Sequence, residues 1–164
     1  MSFRVAILTS SDKGYAGQRE DVSGAVIREI AENAGYEITA YKVLPDERDQ
    51  LAEQLRLWCD EDQADLILTT GGTGFSPRDC MPEATMDVVE RAVPGIPEAM
   101  RWASLQITKR AMLSRAAAGI RKQTLIINLP GSPKAVRENL EFIMDSLHHG
   151  LEILKGQTGE CART

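Results

Sequence analysis

The run Leu66-Ile-Leu-Thr-Thr-Gly-Gly-Thr-Gly-Phe-Ser-Pro-Arg-Asp79 passes from an unbroken apolar segment to three glycines within four residues, then at once to Pro77, Arg78 and Asp79. The apolar part reads as a strand buried on both faces, Leu66–Thr70. Gly71, Gly72 and Gly74 read as a loop where backbone turns sharply or approaches a ligand closely. Loops at the carboxyl ends of parallel strands are where open α/β sheets bind phosphorylated small molecules.

Working outward, Phe3–Leu8 is a second apolar run, fit for a central parallel strand, and Thr9–Gly14 is a polar turn cluster. Asp21-Val-Ser-Gly24 precedes a helix with Val26, Ile27, Ile30 and Ala34 on one face, closed by Gly35. Tyr36–Val43 reads as an edge strand. Asp46 then opens a helix carrying Leu51, Leu55 and Trp58. Beyond the glycine loop, a short helix is expected from Pro82 to about Ala92, broken by Pro94-Gly-Ile-Pro97. The next helix sets Met100, Ala103 and Ile107 on one side. Ala116–Ile120 and Thr124–Asn128 flank a turn and predict a hairpin with one antiparallel strand at the sheet margin. Ser132 as N-cap and Pro133 at the first helical position start a last helix that buries Val136, Leu140, Ile143 and Leu147, with Gly150 as an interruption. The alternation predicts a three-layer α/β sandwich with a mostly parallel central sheet. Residues 1–155 are expected to form a single domain and residues 156–164 a flexible tail.

Composition narrows the function. The 164 residues can bury a sizeable core, and 43% hydrophobic with 26% charged residues is ordinary for a soluble globular chain. A net charge of −5 and only 5% aromatics argue against a nucleic-acid binder. No apolar run is long enough for a membrane span, and the amino terminus shows no signal-peptide pattern. Cys59, Cys80 and Cys161 form no C-x-x-C pair, so reduced thiols and a cytoplasmic location are expected. His148 and His149 point about 100° apart on a helix and make a poor ligand pair.

If strands one and three are neighbours, with strand two outside them, the sheet order reverses between one and three. Thr9–Gly14, Thr70–Asp79 and Leu129–Ser132 then converge at that switch point. The glycine loop is neither a P-loop, lacking Gly-Lys-[Ser/Thr], nor a dinucleotide fingerprint, since the third glycine position is Pro77. Asp79 reads either as a surface partner of Arg78 or as a carboxylate for Mg²⁺, with Arg78 neutralising phosphate oxygens. Asp46 reads by pattern as an N-cap, and Asp12 and Asp21 share that ambiguity. Arg115 and Lys122 read as solvated charges, and Met81 and Met112 as packing residues.

Thr69–Asp79 followed by Pro82-Glu-Ala-Thr85 closely resembles the signature of the molybdopterin adenylyltransferases, the MogA/MoaB proteins and the gephyrin G domain. Ser11-Asp12, Asp21-Val-Ser-Gly24, Leu44-Pro-Asp46-Glu47, Trp58-Cys-Asp60, Leu113-Ser-Arg115, Ala118-Gly-Ile-Arg121 and Leu125-Ile-Ile-Asn-Leu-Pro-Gly-Ser132 match in order across nearly the whole chain. The resemblance implies a homotrimer that transfers AMP from ATP to the terminal phosphate of molybdopterin with Mg²⁺, releasing pyrophosphate. It also implies a molybdate-inserting enzyme as a possible downstream partner. It implies catalytic roles for Asp46 and Asp79, which would place metal or water; Asp79 is the candidate Mg²⁺ ligand, and which of the two acids touches the ion stays open. Substrate contacts are expected from Ser11, Asp12, Thr70, Gly71, Gly72, Thr73, Gly74, Arg78, Ser114, Asn128, Pro130, Gly131 and Ser132. The chain departs from the family at Cys80-Met81, where Val-Thr is usual, and an altered affinity is expected there. The alternative reading is a non-catalytic, MoaB-type pterin-binding scaffold trimer, and a weaker one is a nucleotide-binding module without pterin.

Overall fold

The computed structural model describes residues 2–157. In chain order the elements are β1 (Arg4–Ser10), α1 (Asp12–Tyr15), α2 (Val22–Asn33), β2 (Glu37–Leu44), α3 (Arg48–Asp60), β3 (Leu66–Thr70), α4 (Met81–Val88), β4 (Arg91–Ala92), α5 (Gly95–Leu105), a 3₁₀ turn (Lys109–Leu113), β5 (Ala118–Arg121), β6 (Thr124–Leu129) and α6 (Pro133–Leu154). The six strands form one sheet in the order β2-β1-β3-β6-β5-β4. The pairs β1–β2, β1–β3 and β3–β6 are parallel. Because β5 runs antiparallel to both β6 and β4, it is the reversed strand of the sheet.

The period of two along each strand sorts the core into the two faces of the sheet. Val5 and Ile7 of β1, Leu66 and Leu68 of β3 and Ile127 of β6 turn to one side, against Ile27 of α2 and Val136, Leu140, Ile143 and Leu147 of α6. Ala6, Leu8, Ile67 and Ile126 turn to the other, against Leu51, Leu55 and Trp58 of α3 and Met81 and Val88 of α4. Both faces are covered, which is why β1, β3 and β6 read as continuous apolar runs rather than alternating ones.

Several boundaries differ from the sequence reading. The helix opened by Met81 ends at Val88, and Arg91–Ala92 pairs with β5 as a sixth strand, because Glu90 and Val93 are hydrogen-bonded to Ile120 and Ala118 across the hairpin. Gly150 does not interrupt α6, which runs unbroken to Leu154 because its apolar stripe continues through Leu151. Ala34 lies at the exposed C-cap of α2, and Ala31 takes its place in the core. Ile107 falls beyond the end of α5 and is exposed, as is Met112. Of the three cysteines, Cys59 is buried and Cys80 half-buried, both as free thiols. Cys161 and the tail from residue 158 lie outside the described residues. No helix among the described residues is long and apolar enough to cross a membrane.

Both ends of the described chain gather at the amino-terminal edge of the sheet. The Ser2 hydroxyl donates to the Gly35 carbonyl, and Phe3 packs edge-on against Tyr36 and against His148 of α6. At the same edge Asp65 receives the Arg4 backbone N–H at 2.8 Å and the Arg4 guanidinium at 2.9 and 3.3 Å, with Lys155 Nζ at 3.0 Å. Burial alone would raise the Asp65 pKa, but the hydrogen bonds from Arg4 and Lys155 outweigh it and bring the pKa down to about 2.

A carboxyl whose pKa is lower folded than unfolded stabilises the fold fully above its unfolded pKa, and that stabilisation is lost as pH falls through the folded value. Asp65→Asn is expected to lower stability by about 2 kcal/mol at neutral pH. Paired urea titrations should show the gap between wild type and variant closing progressively between about pH 4 and pH 2. A gap that holds constant down to pH 2 would contradict this account.

Candidate functional site

The sheet order reverses at β1, whose chain neighbour β2 lies on one side and β3 on the other. Above the carboxyl ends of these strands lies a cavity of about 470 Å³. Its walls come from the three expected loops and from two further ones: Ser10, Ser11 and Gly14 after β1, Arg19–Ser23 before α2, Asp46 after β2, Thr70–Gly72 and Asp79 after β3, and Gly131 and Pro133 before α6.

The glycine loop is shaped by backbone crowding. Gly71 and Gly72 both hold positive φ, +87° and +71°. A Cβ on Gly71 would lie 2.3 Å from the Ser10 carbonyl oxygen, so the ends of β1 and β3 can approach only if this residue is glycine. The loop is then pinned at both ends. The Thr70 hydroxyl donates to the Pro130 carbonyl at 2.6 Å, and the Met81 N–H donates to the Gly72 carbonyl at 3.1 Å. Arg115, expected as a solvated charge, instead braces the loop from below. Its Nε donates to the Gly74 carbonyl at 2.8 Å, its Nη2 to the Asp79 carbonyl at 3.0 Å and its Nη1 to Glu83 at 2.6 Å.

The two acids sit in different settings. Asp79 folds back on its own turn, accepting the Ser76 N–H on Oδ2 at 3.0 Å. Asp46 is not the cap of α3. Glu47 occupies that position without a side-chain bond, and Asp46 accepts the Ser10 hydroxyl at 2.5 Å and the Asp12 N–H at 3.1 Å. Asp12 returns the contact by accepting the Asp46 N–H at 2.9 Å. Hydrogen bonds from Arg78 and then from the Asp46 N–H hold the Asp12 carboxyl below the usual carboxylate range. Asp21 caps α2 through the Gly24 N–H at 3.0 Å and also accepts the hydroxyls of Thr9 and Tyr41. Burial and that carboxylate push the Tyr41 phenol upward, so it stays protonated as a donor.

The expected contact residues separate into groups. Ser11, Thr70, Gly71, Gly72 and Gly131 line the cavity with Asp46 and Asp79. Thr73, Gly74, Ser114 and Pro130 line a separate groove of about 300 Å³, floored by Pro97, Met100 and Leu113. Asp12 and Arg78 form an outer rim with Asp46 and Asp79. Ser132 caps α6, its hydroxyl accepting the Ala135 N–H at 3.1 Å. Asn128 is fully buried in β6, and its amide is engaged by Thr69, Thr85 and the Ala117 N–H, so it ties β6 to β3, to α4 and to the segment before β5. Arg78 does not pair with Asp79; its guanidinium goes to Asp12 and Glu47. Arg19 and Ser23 are wall residues that the sequence reading misses. Arg19 lies two residues before the Asp21 cap and Ser23 in the first turn of α2, at a helix N-terminus that opens toward an anion. Met81 is fully buried against α3 and α4, so the Cys80-Met81 departure turns its larger side chain into the core. Burial and nearby carboxylates, Asp46 first among them, raise the Cys80 thiol and keep it neutral.

The cavity can hold an anion despite its acids. The N-termini of α2, 12 residues long, and α6, 22 residues long, both open onto it. Each helix end carries roughly half a positive charge. Among the described residues no group of three or more His, Cys, Asp or Glu converges as a metal site. Mg²⁺ is commonly held by one or two carboxylates, with substrate phosphates completing its shell. Asp46 and Asp79 both line the cavity, and their carboxylates would suit such an ion.

Fold and site together define a doubly wound α/β domain with a glycine-lined polar cavity at its switch point. The chain belongs to the family described as probable molybdopterin binding domain, whose profile matches residues 6–149. It is 41% identical over 159 residues to a molybdopterin adenylyltransferase of Helicobacter pylori, covering 94% of this chain and 89% of that one. It is 44% identical over 163 residues to gephyrin of Dictyostelium discoideum, covering 93% of this chain and 23% of gephyrin. The crystal structure of the molybdopterin biosynthesis enzyme MoaB of Thermus thermophilus superposes with a TM-score of 0.89 at 50% identity, covering 94% of this chain and 97% of that one.

Gly71→Ala is expected to destabilise the protein by more than about 1 kcal/mol, since alanine is strained at positive φ and collides with Ser10. Gly150→Ala, in an open helical position, should stabilise it by roughly 1 kcal/mol. Thermal melts of the two variants should therefore shift in opposite directions.

Proposed function

We propose that the protein transfers AMP from ATP to the terminal phosphate of molybdopterin, giving adenylyl-molybdopterin and pyrophosphate. The observation that carries this reading is the convergence of Asp46, Asp79, the Gly71–Gly72 backbone and the α2 and α6 N-termini on one cavity. Similarity to adenylyltransferases at about 40% identity over nearly the full chain supports it.

The chemistry asks little of a base. An oxygen of the pterin phosphate is already an anionic nucleophile. It forms the new bond to the α-phosphorus of ATP as the bond from that phosphorus to the bridging oxygen breaks and pyrophosphate leaves. The protein must bring two anions together and hold them in line. In this reading the backbone N–H groups of Gly71 and Gly72 and the two helix ends cradle phosphate oxygens. Asp79 and Asp46 would hold Mg²⁺, which when bound would supply positive charge to neutralise the transferring group. Ser11 and Gly131 close the cavity wall. The apolar groove beside Thr73, Gly74, Ser114 and Pro130 receives the flat pterin. Residues 1–155 act as one adenylyltransferase domain in the cytoplasm, and the product passes to a molybdate-inserting enzyme.

The test is direct assay of adenylyl-pterin and pyrophosphate from purified protein, molybdopterin, ATP and Mg²⁺. Asp46→Ala and Asp79→Ala should each reduce transfer by about 100-fold or more while the protein stays folded. Tight pterin binding with no product from the wild type would favour the scaffold reading instead.

We further propose that the chain assembles as a homotrimer. Trp102, Ile107, Met112 and Phe142 expose 50–63% of their surface on or near α5, the 3₁₀ turn and α6, and Trp102 packs on Phe142. Trp102, Ile107 and Phe142 line one surface hollow, and large apolar side chains exposed together mark an association surface. Sedimentation should give a trimer for the wild type and smaller species for Trp102→Asp or Phe142→Asp. A wild-type monomer at micromolar concentration would refute the assembly.

A further inference from the structure

We propose that Arg78 and Asp12 are positioning residues that set the carboxylate of Asp46, and that Arg78 is not the cation that binds phosphate. Arg78 directly precedes Asp79 in the glycine loop. Its guanidinium forks onto Asp12, with Nε to Oδ2 at 2.7 Å and Nη2 to Oδ1 at 3.1 Å, while Nη2 also reaches Glu47 at 2.8 Å. Two carboxylates thus already occupy its charge and its planar fork. Asp12 and Asp46 each accept the other's backbone N–H, so fixing one fixes the other.

The contacts form a chain across three loops. Arg78 fastens the loop after β3 to Asp12, which follows β1, and Asp12 fastens the turn after β2. That turn needs such a tether, because β2 is an edge strand and Asp46 is not held by a helix cap. The second Asp46 oxygen is fixed by Ser10, leaving the carboxylate aimed from both sides. Arg78 and Asp12 are about half exposed, so the ion pair itself contributes little to stability and its loss leaves the fold intact. A group that orients a metal-facing ligand, when removed, typically weakens metal affinity or activity by about 10–100-fold.

The inference rests on the adenylyl-transfer reading for its kinetic arm alone. Arg78→Gln, Asp12→Asn, the double variant and Arg78→Lys are compared with wild type. Thermal midpoints should be unchanged. In the kinetic arm kcat should fall about 10-fold or more in each single variant, with KM for Mg·ATP held within about twofold. The double variant should be no worse than the poorer single one, since both cut the same chain. In the binding arm, Mn²⁺ is titrated by electron paramagnetic resonance into protein saturated with α,β-methylene-ATP. The half-saturating Mn²⁺ should rise about 10-fold in Arg78→Gln, while affinity for the analogue without metal stays the same.

A raised KM with kcat preserved, losses that multiply in the double variant, full rescue by Arg78→Lys, or unaltered Mn²⁺ affinity would each overturn the proposal. No product from the wild type together with the expected Mn²⁺ shift would remove the adenylyl-transfer reading and leave the positioning role standing.

Discussion

Much of the molecule turns on the close approach of Gly71 to the carbonyl of Ser10, a contact that leaves no room for a side chain between the ends of β1 and β3. With that gap closed, the Ser10 hydroxyl reaches Asp46 on one side, and Gly72 rests against the start of α4 on the other. Prying the strand ends apart would loosen both acids at once, since Asp79 hangs from the same loop. The conformational freedom of one glycine therefore shapes the cavity more than any polar contact in it.

The charge balance follows from that shape. A chain of net charge −5 places Glu20, Asp21, Asp46 and Asp79 around the cavity, with Arg19 as the one cationic side chain among the described residues that line it. Two helix ends supply roughly one positive charge between them, less than a triphosphate carries. Arg78 is spent on Asp12 and Glu47, and Arg115 on the underside of the loop. Under the proposed adenylyl transfer, a divalent cation accompanying the nucleotide would offset the remaining deficit.

Local signals are the legible part of this sequence. Leu66–Thr70 emerges with its expected bounds, because an apolar run against glycines admits one interpretation, and Ser132 with Pro133 starts α6 as their cap chemistry requires. The strand reversal at β1 follows from the alternation of elements. Contacts made over long sequence distances stay hidden. Nothing near Asp46 reveals that its carboxylate serves Ser10 and Asp12 in place of α3, and nothing near Asn128 reveals its partners in β3, in α4 and just before β5. Arg115 looks solvated because the carbonyls it braces lie 36 and 41 residues away. Gly150 misleads because helix propensity is weak beside the packing of a long apolar stripe.

The path of α6 also bears on how the domain can be combined with others. The helix starts at the cavity and ends where Lys155 meets Asp65, beside the strand that carries Phe3. Both ends of the described chain thus leave from the edge of the sheet opposite the ligand cavity. Such a unit can be strung between other domains without a linker crossing its mouth. In Dictyostelium gephyrin the matched region is 23% of a longer chain.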